Sequence, residues 1–125
     1  MYDPPTTAEL VTAVREFLEE HALPNLEGRN AFHARVAANA LAIVARQLEL
    51  GPEAEAAEQQ RLQALLGTQG SLDELNRELC RRIRNGDLAI NDADLVAHLR
   101  TTTLDKVAVD QPKYSGYRRA LEKHR

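Results

Sequence analysis

Two polar residues at the start of a predicted helix could together receive an anion. The segment from Gly28 to Arg35 reads GRNAFHAR. Arg29 and His33 are one helical turn apart, so both side chains can point to one spot. Free backbone amides at a helix start, with a guanidinium and an imidazole, suit a phosphate or a carboxylate. The alternative is that both residues lie at the rim of the helix and pair with acidic neighbours.

The polar stripe of the same helix extends this candidate site. It carries Arg35, Asn39 and Arg46, which share one side at about 100° per residue. Asn39 either reaches Arg35 on this stripe or is a buried amide. A buried amide needs partners, because an unpaired one costs on the order of 1–3 kcal/mol.

A second candidate lies in the C-terminal motif KYSGYRR. Tyr114 and Tyr117 offer stacking and hydroxyl donors, while Lys113, Arg118 and Arg119 supply positive charge. That mixture suits an anionic partner, such as an acidic protein face or a phosphorylated ligand. The alternative is a C-terminal helix that packs its tyrosines on the body and leaves its cations in water.

The remaining chemistry-bearing residues predict neither a metal centre nor a nucleophile. His21, His33, His98 and His124 form no metal-ligand pattern, and we interpret His21 and His98 as helix-surface residues. Cys80 flanks an apolar stripe without a nucleophile motif and is interpreted as a structural thiol. The sequence contains no phosphate-cradling glycine loop. We therefore predict no catalytic residue, no metal and no cofactor. The candidate anion- or partner-binding residues are Arg29, His33, Arg35, Asn39, Tyr114, Tyr117, Arg118 and Arg119.

The elements that position these residues are all predicted helices. Capping-box patterns at Thr6 and at Ser71 begin the first and fourth helices, and Asn91 or Asp92 begins the fifth. Glycine and proline at the ends separate the helices. The predicted spans are about 6–21, 29–50, 53–66, 71–85 and 92–110, with the break after the second helix at Gly51-Pro52. The fold class is all-α, a single-domain bundle of about five helices over 1–125 with a basic tail or short helix at 111–125.

The second helix is predicted to pack on two sides, as a central strut. Phe32, Val36 and Ile43 share one side with Ala40, whereas Leu41 and Leu48 share the other with Ala34 and Ala45. The exposed side of this helix could instead close a homodimer, so a homo-oligomer is possible.

Bulk properties indicate a globular protein of the cytoplasm. The chain has 125 residues, 43% of them hydrophobic and 28% charged, and one cysteine. Its net charge of −3 argues against a general nucleic-acid binder. No apolar run approaches the roughly 20 residues that cross a bilayer, and the N-terminus lacks a signal-peptide pattern. We therefore expect no membrane association.

Several segments resemble a known family. GRNAFHARVAANALAIVARQLELG and PKYSGYRRAL, together with NRELCRRIRNGDL and LVAHLRTTTLDKVAVD, are similar to a family of small bacterial helical proteins described as a domain of unknown function. Genes of that family lie beside an aminoglycoside-phosphotransferase-like kinase and an acyl-CoA dehydrogenase-like enzyme. The resemblance implies an accessory subunit of a kinase that phosphorylates a hydroxyacyl-CoA in acid catabolism, with ATP and catalytic groups supplied by the kinase.

Two other functions remain open at the level of sequence. A stand-alone acyl-CoA or anionic-metabolite binding module would use Arg29, His33 and the tyrosine tail. A small hydrolase or isomerase would need a site assembled from scattered His, Asp and Glu residues, and no pattern in the sequence points to one.

Overall fold

The computed structural model describes residues 3–123, and within them every regular element is a helix. The all-α fold class is confirmed. Five α-helices follow in chain order: α1 (Thr7–Glu16), α2 (Gly28–Leu66), α3 (Leu72–Asn85), α4 (Ala93–Asp110) and α5 (Ser115–Glu122). A π-helical turn (Phe17–Ala22) and a 3-10 turn (Leu23–Asn25) connect α1 to α2. No helix within residues 3–123 has the length and apolar character needed to cross a membrane.

The chain divides into two compact units, residues 1–51 and 52–125. Unit 1 contains α1, the two turns and the first part of α2, whereas unit 2 contains the end of α2 and helices α3 to α5. The single domain expected over 1–125 stays a prediction.

The predicted helix break at Gly51-Pro52 is wrong. Helix α2 is one continuous helix of 39 residues, and Pro52 lies in its interior. Proline removes one backbone donor and crowds the carbonyl four residues earlier, which costs about 3 kcal/mol in a helix interior. These are local preferences that a continuous helix can override. Gly51 is buried, and a Cβ there would meet only the end of the flexible Gln47 side chain. Gly51 therefore lies inside the helix and does not act as its C-terminal cap.

Unit 2 has a leucine core built from three helices. Leu62 and Leu66 of α2, Leu75 and Leu79 of α3, and Leu95 of α4 form one buried cluster. Partly buried side chains pack against it, namely Leu65, Leu72, Ile83 and Leu88. The apolar stripe predicted for α3 from Leu72 to Ile83 is confirmed by this packing.

Polar side chains tie the turn between α2 and α3 to its surroundings. Arg82 Nη1 donates to the Leu66 carbonyl at 2.8 Å and so satisfies one of the free carbonyls at the end of α2. Gln59 Nε2 donates to the Gly70 carbonyl, also at 2.8 Å. The turn is therefore held by both flanking helices.

Unit 1 buries small residues and exposes large ones. Ala31, Ala34 and Ala38 are buried along one line of α2. Phe32 and Val36 on the predicted apolar side are 58% and 49% exposed. The prediction that α2 packs on two sides is therefore wrong for the Phe32 side. Helical periodicity correctly separates the apolar from the polar positions of α2. It does not show whether other parts of the chain pack against both apolar sides.

The cap of α3 is the best-formed helix start in the described chain. Ser71 Oγ accepts from the Glu74 amide at 3.2 Å, and the Glu74 carboxylate accepts from the Ser71 amide at 2.9 Å. At Thr6 the hydroxyl accepts from the Glu9 amide, and Asp92 caps α4 in the same way. The Ser71 capping box and the Thr6 and Asp92 cap positions are confirmed.

We expect Ser71→Ala to lower the free energy of unfolding by about 0.5–2 kcal/mol, because one amide of the first turn loses its acceptor. Urea denaturation followed by circular dichroism measures this. Ser115→Ala is the matched control, since Ser115 is exposed at the start of α5 and is not the cap residue. Equal losses for both variants would contradict the prediction.

Candidate binding surfaces

The first predicted site lies in unit 1 on an exposed part of α2. Arg29, His33, Arg35 and Asn39 are all exposed, so the buried-amide interpretation of Asn39 is wrong. The His33 ring contacts the Phe32 ring edge-on, with centroids 5.5 Å apart. Among the described residues, none of these four side chains forms an ion pair. The pairing of Arg29 and His33 with acidic neighbours is therefore not observed in residues 3–123.

The second predicted site lies in unit 2, around the start of α5. Tyr114 precedes the helix and is exposed, while Tyr117 is half-buried. A Cβ on Gly116 would lie 2.6 Å from Cε1 of Tyr114, so the tyrosine ring lies directly over this glycine. Arg118 and Arg119 are exposed and form no ion pair within the described chain. Tyr117 thus packs on the protein, whereas Tyr114 and the cations face solvent.

A third polar cluster in unit 2 was missed by sequence reasoning. His98 of α4 is only 4% exposed, so its interpretation as a surface residue is wrong. The Nδ1 atom of His98 is buried without a hydrogen-bond partner in the described structure, and so is the Nε atom of Arg61. Burial and the nearby Arg61 guanidinium lower the pKa of His98, against a smaller opposite influence of Glu58. The imidazole is therefore held neutral.

The Arg61 side chain is held by residues of α4 and not by residues of its own helix, α2. Its Nη2 donates to Thr102 Oγ1 at 3.2 Å and lies 3.9 Å from Asp105 Oδ2. A shallow pocket of about 380 Å³ is lined by this arginine, His98, Asp94 and Thr101, with apolar residues beside them. The sequence signal was weak: His98 is one turn from Leu95 and thus on the core side of α4.

Helix α3 carries an exposed ion-pair network. Glu78 accepts from Arg81 at 2.6 Å and from Arg82 at 2.7 Å. These hydrogen bonds lower the pKa of Glu78 to about 2, although desolvation acts in the opposite direction. Cys80 lies exposed on the same helix as a free thiol. Arg82 thus contacts both Glu78 and the Leu66 carbonyl at the end of α2. Because Glu78 is paired with two arginines, its carboxylate is not free for chemistry.

The described residues contain no group of three His, Cys, Asp or Glu side chains that could hold a metal ion. His21 is exposed, as expected, and its ring lies 6.3 Å from that of Phe17. His124 lies outside the described residues.

The fold and these surfaces define a small all-α protein with two exposed cationic surfaces, one in each unit. The chain belongs to a family described as a domain of unknown function (DUF6285), which matches residues 24–114. The matched region includes all of α2 to α4, whereas α1 and α5 lie outside it. No curated protein and no solved structure matches the chain.

Proposed function

We propose that this protein is a non-catalytic accessory or regulatory subunit of an aminoglycoside-phosphotransferase-like kinase that acts on hydroxyacyl-CoA in acid catabolism. The observation that carries the proposal is the exposed surface at the start of α5, where Tyr114 faces solvent and Arg118 and Arg119 form no ion pair within the described chain. The identity of the partner rests on the resemblance to proteins encoded beside such kinases. An acyl-CoA dehydrogenase-like enzyme is the second partner that this resemblance implies.

The chemistry of α5 suits a protein surface of opposite charge. Exposed aromatic rings and guanidinium groups contribute strongly to protein interfaces. Charge complementarity at such a contact mainly raises the association rate and selects the partner. We therefore assign ATP binding and phosphoryl transfer to the kinase, and docking on an acidic face of the kinase to Tyr114, Arg118 and Arg119.

The test is co-expression with the neighbouring kinase, followed by size-exclusion chromatography and a phosphorylation assay on hydroxyacyl-CoA. We expect a stable complex and higher kinase activity in its presence. The double variant Arg118→Glu, Arg119→Glu should weaken the complex at least ten-fold without changing the circular dichroism spectrum. The matched control is Arg84→Glu, Lys106→Glu, which changes the net charge equally at two exposed residues of unit 2. Full kinase activity without this protein, and no complex, would refute the proposal.

The exposed cations of unit 1 favour a second candidate function, a stand-alone acyl-CoA or anionic-metabolite binding module. Arg29, His33 and Arg35 are exposed and unpaired in the described structure, and a guanidinium and imidazole together suit a phosphate. Calorimetric titration of the isolated protein with CoA thioesters separates the two candidates. Saturable binding that Arg29→Glu abolishes would favour the module, and a flat titration across several chain lengths would exclude it.

A further inference from the structure

The Phe32 side of α2 has the spacing of a coiled-coil seam. Phe32, Val36, Asn39, Ile43, Arg46 and Leu50 follow one another at alternating intervals of four and three residues, which is the repeat by which one helix packs along another. We call these six residues the α2 seam. They span about 27 Å, or five helical turns. The seam therefore has the length and the periodicity to hold a second helix.

Much of the α2 seam is exposed, although it holds Phe32, the largest apolar side chain of its helix. Phe32, Val36 and Leu50 are exposed and Ile43 is half-buried, while the alanines at 31, 34 and 38 are buried. Burying phenylalanine removes much more apolar surface from water than burying alanine. In unit 1, therefore, α2 buries alanines and leaves its phenylalanine exposed, so covering Phe32 would remove further apolar surface from water. The polar seam residue Asn39 would fix the register of a contact with a second helix.

The charge around the α2 seam defines what kind of helix fits. Residues 28–50, which include the whole seam, contain three arginines and one glutamate, a net charge of +2. Placed at 100° per residue, Arg29 borders one edge of the seam and Arg35 borders the other. A second copy of α2 in the seam would bring like charges together, which is unfavourable. An acidic helix would instead find a cation along each edge.

We infer that the α2 seam is a docking site for an acidic amphipathic helix of a partner protein, with apolar residues at heptad spacing and Glu or Asp beside them. This inference goes beyond the kinase proposal, because it concerns unit 1 and requires only a partner that carries such a helix. The apolar stripe of the partner helix lies along the seam from Phe32 to Leu50. Its carboxylates pair with Arg29 and Arg35. This is the helix-in-groove mode of recognition.

The test uses the whole chain and two designed 21-residue fluorescent peptides. Both carry Leu at the heptad positions, and the flanking residues are Glu in one and Lys in the other. Fluorescence anisotropy should show saturable binding of the Glu peptide that weakens with salt, and at least ten-fold weaker binding of the Lys peptide. Phe32→Glu should weaken binding of the Glu peptide at least ten-fold. Ile90→Glu, at an exposed position of unit 2, should leave it unchanged.

A charge-swap variant tests the inference independently of the Phe32 substitution. Arg29→Glu, Arg35→Glu should reverse the preference, so that the Lys peptide binds more tightly than the Glu peptide. Equal binding of both peptides, or unchanged binding by Phe32→Glu, would overturn the inference. A dimer in light scattering that Phe32→Glu dissociates would also overturn it, because a second copy would then occupy the seam. Loss of the kinase complex in the α5 variant affects the kinase proposal alone.

Discussion

Leu95→Ala should lower the free energy of unfolding by about 2–5 kcal/mol. Leu95 is 1% exposed and joins α4 to the leucines of α2 and α3. Shortening it removes buried methyl groups and leaves a cavity that the surrounding helices fill only in part. For a protein of this size the loss is a large share of the total stability. Urea or thermal unfolding followed by circular dichroism measures it directly.

Leu99→Ala is the matched control for this prediction. Leu99 lies one turn further along α4, has the same side chain, and is 44% exposed. Its truncation removes little buried surface, so we expect a loss of about 1 kcal/mol or less. If the two variants lost the same stability, the leucine cluster would not be the core of unit 2.

The second large effect is a loss of stability on mild acidification, caused by His98. Burial and Arg61 lower the pKa of His98 in the folded protein below its ordinary value of 6.5. Well above pH 6.5 the imidazole is neutral in both states, and its contribution to stability is constant. As the pH falls below 6.5, the unfolded chain binds a proton that the folded protein resists, so the free energy of unfolding decreases. The steepest slope one such group can produce is about 1.4 kcal/mol per pH unit.

Unfolding curves recorded from pH 7.5 to 5.0 test this prediction. His98→Gln should flatten the slope, because glutamine stays neutral over the whole range. His21→Gln should retain it, since His21 is exposed. Glu78 cannot produce the effect, because its pKa of about 2 means that stability from its arginine contacts is lost only as the pH falls below about 4.5. An unchanged slope in His98→Gln would show that another group is responsible.

The sequence by itself determined the fold class, most helix ends and the amphipathic faces. Ser71 and Asp92 cap their helices where predicted, because a cap depends on a few residues close in sequence. The apolar stripe on α3 was identified from the sequence for the same reason, since helical periodicity is a local property. The cations at Arg118 and Arg119 were found from composition alone, and they are exposed.

Only the tertiary structure decided which apolar faces are covered and which local signals are overridden. Gly51 and Pro52 carry a helix-stop pattern, yet α2 continues through them, because a local preference of a few kcal/mol competes with contacts made elsewhere along the helix. The residues around His98 predict a position on the helix surface, yet His98 is buried beside Arg61. Phe32 has a core pattern and is exposed. Periodicity places a residue on a face of its helix, but burial depends on what other parts of the chain, or another chain, bring to that face.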